Sequence, residues 1–530
     1  METGRLSIVC LTSMLVIVSF VPGCGEQVGK KLVPEIDLGT TIGSLTEVFT
    51  VQFIAVEGYG VVGGLRGTGS PECPPQIRAY LKQYILSQLP KGEIDVDKFI
   101  SSPNTAVVRV RGMMPAAATR NQYFDVMVSA LPGTTSLEGG WLYEADLKAA
   151  GSFGLATRVL AKVEGPVFMD TIGASDTDKR IGYILAGGRS LEEYTITLAL
   201  RQPDYLVARR IGNVLNARFD SLTAKAVTPD VIELRVPAEY GRQEQRFISI
   251  VRATYLGETP EITAERINTY ARRLAVGEDK DASEVALEAI GRGSLGKLAI
   301  LLNSSNEEVR LRAARCMLNL GNDEGLETLR SITTDERSDY RIEALEAITA
   351  AANRNDAAAI SRSLLRDNDF DVRLTAYEEL RKLDDIAIAR KLIAGNFFLE
   401  QITQATHKEI FVSRSGQPRI VLFGAPIYCL DNVFVQSADG EITIDVPAGQ
   451  RHVSLIRKVP KRPDVIKLKS SFELSDIIQT LCEEPIVEEG SGARPGLNVS
   501  YADAIALLKQ MCEQGAVKAQ FRAGPLPKTD

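Results

Sequence analysis

The sequence predicts an α+β fold in which β-rich regions are interrupted by an all-α stack of helical repeats, and three observations carry that prediction. Residues 45–256 and 396–470 hold short runs in which apolar and polar residues alternate, the period of half-buried strands. Residues 257–395 turn instead to alanine, leucine and charge, with an acid two positions ahead of Arg310, Arg341 and Arg373, a signature that recurs after 31 and then 32 residues. Residues 471–530 read as two helices and a closing strand. With 530 residues, 45% hydrophobic and 24% charged, the chain has material for several domains. A net charge of −7 and a pI near 5.4 speak against general nucleic-acid binding, which needs a basic face.

Residues 1–23 read as a secretory signal, with Arg5 ahead of an apolar core from Ile8 to Val21 that is too short to span a bilayer comfortably. The segment ends Val21-Pro22-Gly23-Cys24, which resembles the lipobox of bacterial lipoproteins, although Pro22 stands where a small residue is usual. The resemblance implies lipid attachment at Cys24; the alternative is an ordinary cleaved signal. Residues 24–44 follow as a linker. Export makes disulfides available. Cys482 and Cys512, near the ends of two neighbouring predicted helices, are the candidate pair, with free buried thiols as the alternative. No Cys/His spacing suggests a metal, and His407 and His452 lie in separate segments and are not expected to act as a pair.

Residues 48–70 read VFTVQFIAVEGYGVVGGLRGTGS. A strand through Val51, Phe53 and Ala55 is expected to lead into a loop holding Gly58, Gly60, Gly63, Gly64, Gly67 and Gly69. Glycine at this density marks backbone that takes positive φ or passes close to another segment. Gly58, Gly60 and Gly63 spell the GxGxxG of dinucleotide sites, but that motif needs a helix opening at the third glycine and an acid about 20 residues on. Here Pro71, Pro74 and Pro75 intervene, and Gln76 to Leu89 carries no acid, so a nucleotide is not expected. Further strands are expected over residues 105–115, 124–130 and 194–200, and also over 231–236 and 247–251. A turn at Pro132-Gly133 and the pair Gly139-Gly140 precede one more strand. A helix opening near Asp204 carries Val207, Ile211 and Leu215 on one face.

Three of these segments, GYGVVGGLRGTG, DVMVSALPGTTSLEGGWL and LRQPD ahead of NARF, resemble in order the flagellar P-ring protein family. The resemblance implies β-rich ring-forming domains at 45–150, 151–256 and 396–470, and a periplasmic structural subunit that assembles with copies of itself around the flagellar rod. The rod and other basal-body ring proteins are then partners, with peptidoglycan a further candidate. Neither catalysis nor a cofactor is expected. Gly139, Gly140 and the earlier glycines would serve close approach between strands or between neighbouring subunits.

The repeats in 257–395 resemble HEAT repeats, whose paired helices stack because one pair cannot bury its own apolar stripe. This solenoid departs from the family pattern and reads either as a surface for an unknown partner or as a spacer inserted at an exposed loop. Beyond it, hairpins are expected over 409–424, turning at Gly416, and over 433–446, turning at Asp439-Gly440. The basic stretch at 457–469, including Lys461 and Arg462, suits either anionic polymer and headgroups or a solvated strand face. In the last segment, Ser500 with Asp503 is a variant capping box, and Gly515 ends the helix. The rival to a ring subunit is a non-flagellar envelope lipoprotein that holds a partner through its repeats.

Overall fold

The structure, a computed structural model, describes residues 38–528 apart from 49–52, 89–94, 117, 153–156, 173–177, 194, 278, 459–464 and 486–495. The signal segment, Cys24, Val51, Lys461 and Arg462 therefore lie outside the described residues. After a short helix α1 (Ile42–Leu45) and strand β1 (Thr46–Val48) comes β2 (Phe53–Gly63), with helices α2 (Pro75–Gln88) and α3 (Val96–Ile100) following. The next strands are β3 (Ala106–Pro115), β4 (Tyr123–Ala130), β5 (Trp141–Ala149), β6 (Ala161–Pro166) and β7 (Ile181–Ser190). These strands close into a six-stranded antiparallel barrel in the order β2-β3-β4-β7-β6-β5. Alternation decides what fills it. Val108 and Val110 point into the barrel core with Val126, Val128 and Leu142, while Val107 faces out and is covered, with Val61, by α2 and α3.

A second domain follows, built from β8 (Ile196–Leu200), α4 (Tyr205–Arg218), β9 (Ala224–Ala226), β10 (Val231–Leu234) and α5 (Glu244–Ala253). Its sheet runs β1-β8-β10-β9, so the first strand of the chain returns to pair with β8 across the intervening barrel. Asp204 caps α4, its carboxylate accepting from the amides of Leu206 and Val207. Residues 247–251, expected as a strand, lie in α5 instead. Phe247, Ile250 and Val251 fall three and four apart and are all buried, and so short an apolar run does not by itself distinguish the two periods.

The helical stack comprises α6 (Pro260–Val276), α7 (Lys280–Ile290), α8 (Leu295–Leu301), α9 (Glu307–Asn319), α10 (Glu324–Thr334), α11 (Arg341–Ala351), α12 (Arg354–Leu364) and α13 (Phe370–Lys382). Helices α5, α7, α9, α11 and α13 pack side by side as one row, with α6, α8, α10 and α12 behind them. The recurring arginines have a local cause. Arg310 donates to the Ser304 carbonyl at 2.9 Å, Arg341 Nε to Thr333 at 3.1 Å, and Arg373 to Asp367 at 2.5 Å. Each satisfies a carbonyl at or just after the end of the preceding helix, where the chain has no helical donor left.

The chain then forms β11 (Ala389–Ile393), β12 (Phe397–Ile402), β13 (Glu409–Val412) and β14 (Arg419–Phe423). A separate meander follows in β15 (Val433–Gln436), β16 (Ile442–Val446), β17 (Val453–Lys458) and β18 (Val465–Ser470). Helices α14 (Leu474–Cys482) and α15 (Tyr501–Glu513) lead to β19 (Gln520–Ala523), which pairs parallel with β13 and completes the sheet β11-β12-β14-β13-β19. Ser500 caps α15 through the Asp503 amide and returns a hydrogen bond to the Asp503 carboxylate; Gly515, at φ 72°, ends the helix. The expected strand at 516–521 begins later, because Ala516 and Val517 are buried in the core formed with α14 and α15. The solenoid is held by more than a loop. Val372, Ala376, Tyr377 and Leu380 of α13 share one core with Phe411, Val421 and Phe423 of the sheet. Among the described residues no helix is long and apolar enough to cross a membrane.

Candidate functional site

The glycine stretch is mostly strand, where a loop was expected. Gly58, Gly60 and Gly63 lie in β2, and the chain reaches no helix until Pro75, so the strand–turn–helix geometry of a dinucleotide loop is not what these glycines build. Their place in the barrel explains them. β2 pairs with β3 on one side and β5 on the other, and its register with β5 shifts between Glu57 and Val62. A Cβ on Gly58 would stand 2.2 Å from the Asp146 carbonyl oxygen of β5, and one on Gly60 would stand 2.9 Å from Leu142. The barrel closes there only because side chains are absent. Gly63 faces the Tyr143 ring, while Gly69 lies against Thr105, where a Cβ would come within 2.0 Å of the carbonyl oxygen. Gly64, Gly67 and Gly139 take positive φ, and Gly140 packs against Val62.

These glycine loops form one wall of a cleft of about 680 Å³ whose other wall is the C-terminal region. Arg66, Glu138, Trp141 and Phe168 line it from the barrel, with Glu441 and Tyr501 opposite. Its cations are already engaged within the chain. Arg66 pairs with Glu441 at 3.1 Å, Lys179 with Glu138 at 3.3 Å, and Arg457 donates to the carbonyls of Leu497 and Asn498. Deeper in, two polar links tie the barrel to the 409–424 hairpin, and a third ties α15 to it. Asp125 accepts from the amides of Ala186 (2.7 Å) and Gly416 (2.8 Å), and burial pushes its carboxyl up. Arg414 pairs with Asp170 at 3.1 Å. Burial also pushes the Tyr501 phenol up to about 12, and its oxygen lies 2.7 Å from the Ser413 carbonyl and 2.9 Å from that of Arg419.

Cys482 and Cys512, the candidate disulfide, are both free. Cys482 is buried in the shared core of α14 and α15, which pushes its thiol up, and burial raises Cys512 to about 11. Among the described residues no cluster of His, Cys, Asp and Glu is placed to hold a metal; exposed His407 bonds its neighbour Thr406. Lys467 and Lys469 alternate outward along β18 as a solvated strand face.

Sequence reasoning missed that the fold buries Glu284 and Glu288 on α7 and Glu400 and Glu409 on β12 and β13, with the half-buried Arg246 of α5 reaching the first pair. The available signal was the four-residue spacing of Glu284 and Glu288, which sets both on one face of α7 beside Leu287. That spacing separates a buried face from a solvated one only once the partner helices are known.

The sequence pattern of the flagellar P-ring protein family matches residues 41–288, which takes in the barrel, the second domain and the helices through most of α7. The HEAT-repeat pattern matches residues 296–381. The family match thus runs past 257, where the insert was expected to begin. Flagellar P-ring proteins of Thermotoga maritima and Nitrosomonas europaea are 30% and 34% identical over 209 and 228 residues, which cover 37% and 39% of this chain and 60% and 58% of those relatives. The flagellar P-ring protein of Nitrobacter winogradskyi is 30% identical over 269 residues, covering 48% of this chain and 69% of the relative. The chain spans about three fifths of the length of the first two. On this identity and coverage, the chain belongs to the flagellar P-ring protein family and carries HEAT repeats in addition.

Proposed function

We propose that this chain is a structural subunit of the flagellar P ring, assembling with copies of itself around the rod in the periplasm. The observation that carries the reading is the family match over 41–288, because it covers the glycine strand and the barrel that this strand closes. The rod and the other basal-body ring proteins are its partners, and peptidoglycan is a further one. Lipid on Cys24 anchors the subunit to the envelope. The experiment is a deletion strain scored for swimming and for basal-body rings by electron microscopy, complemented with the unaltered gene and with Cys24→Ser. Loss of the ring and of swimming, restored by the unaltered gene, is the expected outcome. The Cys24→Ser protein should fractionate away from membranes. Intact rings and normal swimming in the deletion strain would sink the ring reading in favour of a non-flagellar envelope scaffold, and unchanged membrane association of Cys24→Ser would sink the anchor.

A further inference from the structure

The two ends of the helical stack are fastened to the rest of the chain by buried ion pairs. At the first end Glu284 and Glu288 of α7 are both buried. Arg246 of α5 reaches them from the second domain, with Nη2 2.7 Å from Glu284 and Nε 3.0 Å from Glu288. From the other side, Arg315 of α9 binds Glu284 through two nitrogens at 2.7 Å, and Arg312 adds a contact at 3.1 Å. Asn319 donates to Glu288 at 3.3 Å. Residues of the family-matched domain and of the HEAT-matched helices thus share the same two carboxylates.

The far end repeats the device with different residues. Arg373 of α13 pairs with Glu409 of β13, both buried. Glu400 of β12, fully buried, accepts from Tyr377, from Arg381 at 3.1 Å and from Arg390 at 2.9 Å. Between the two ends, Arg242 of the second domain donates to the Thr349 carbonyl at 3.1 Å and to Glu379 at 3.4 Å. Both connections are engaged: between α5 and α6 the Leu256 amide donates to the Thr40 carbonyl at 3.2 Å and Arg266 to that of Gly257 at 3.0 Å, and beyond α13 Asp385 pairs with Arg362 at 2.6 Å. On the row facing away, α6, α8, α10 and α12, the large apolar side chains exposed among the described residues are Ile262 and Val276 of α6 and Ile300 of α8.

We propose that the helical repeats are a rigid strut that fixes the second domain and the C-terminal sheet relative to each other as one body. Opening the stack at either end would strand a buried charge without its partner, a state that proteins avoid. The inference concerns the purified chain alone and stands whether or not the chain forms a flagellar ring. It is tested by hydrogen–deuterium exchange of the full chain, read by peptide mass spectrometry. In the unaltered protein the slowest amides of α9, α11 and α13 should exchange within about tenfold of those in α5 and β12 to β14, as parts of one cooperative unit do. Exchange of the solenoid more than about tenfold faster than both flanks would show that it opens independently and would overturn the strut. In the Glu284→Gln/Glu288→Gln variant, α5 and α9 should both accelerate. Acceleration of α9 with α5 unchanged would equally overturn it. Should that variant fail to fold, the measurement on the unaltered protein decides alone.

Discussion

At the scale of the residue, two glycines of one motif do different physical work. Gly58 has ordinary backbone geometry but no room, since β5 passes where its Cβ would be. Gly67 has open space around it but takes φ 83°, a conformation that costs any residue with a Cβ. Gly58→Ala should therefore destabilise by about 3 kcal/mol, through forced separation of two barrel strands. Gly67→Ala should cost only about 1 kcal/mol. Urea unfolding followed by the fluorescence of Trp141, the chain's one tryptophan and itself on β5, reads the barrel directly. Equal costs for the two substitutions would refute the close-approach account.

At the scale of the element, the junction between α7 and α9 should be acid-sensitive. Burial pushes the Glu284 carboxyl up, but Arg246 and Arg315 outweigh it and hold the group down at about 2. Arg312 also faces it, and Glu288 and Cys316 lie beside it. A folded pKa below the ordinary 4.5 means that the charged form is bound more favourably in the folded chain. Its stabilisation is present above about 4.5 and is lost as pH falls from there toward about 2. Thermal melting of the helical signal should therefore drop through that window. Glu284→Gln should flatten the drop, and an unchanged pH profile in that variant would assign the acid sensitivity to other groups. Elements also show where the sequence was ambiguous. Residues 247–251 satisfied a strand pattern, and only packing against α4, α7 and the sheet made them helix.

At the scale of the whole molecule, the chain leaves one β-rich region, climbs a helical stack and re-enters another through a shared core. Arg373 is where that return is fastened. Arg373→Met should destabilise by about 3 kcal/mol because Glu409 stays buried with only the longer contact to Arg522, at 3.7 Å, to offset its charge. Adding Glu409→Leu should recover most of the loss, since replacing both partners by apolar groups is often near neutral. A double variant no more stable than the single one, in urea unfolding of the full chain, would show that packing at Arg373, not its charge, holds the solenoid to the sheet.

Strand alternation, the repeat spacing of Arg310, Arg341 and Arg373, the capping pair Ser500 and Asp503 and the glycine motifs were all legible in the sequence, because each depends on residues close together in the chain. That local information was enough to predict an α+β fold with a helical stack and to point to the P-ring family. What only the tertiary structure decided is long-range: the closure of β2 against β5, the pairing of β1 with β8 and of β13 with β19, and the burial of Glu284, Glu288, Glu400 and Glu409. A glutamate in a helix or strand reads as solvated until distant arginines are brought to it. Burial of a charge is a property of its partners, and those lie tens of residues away along the chain.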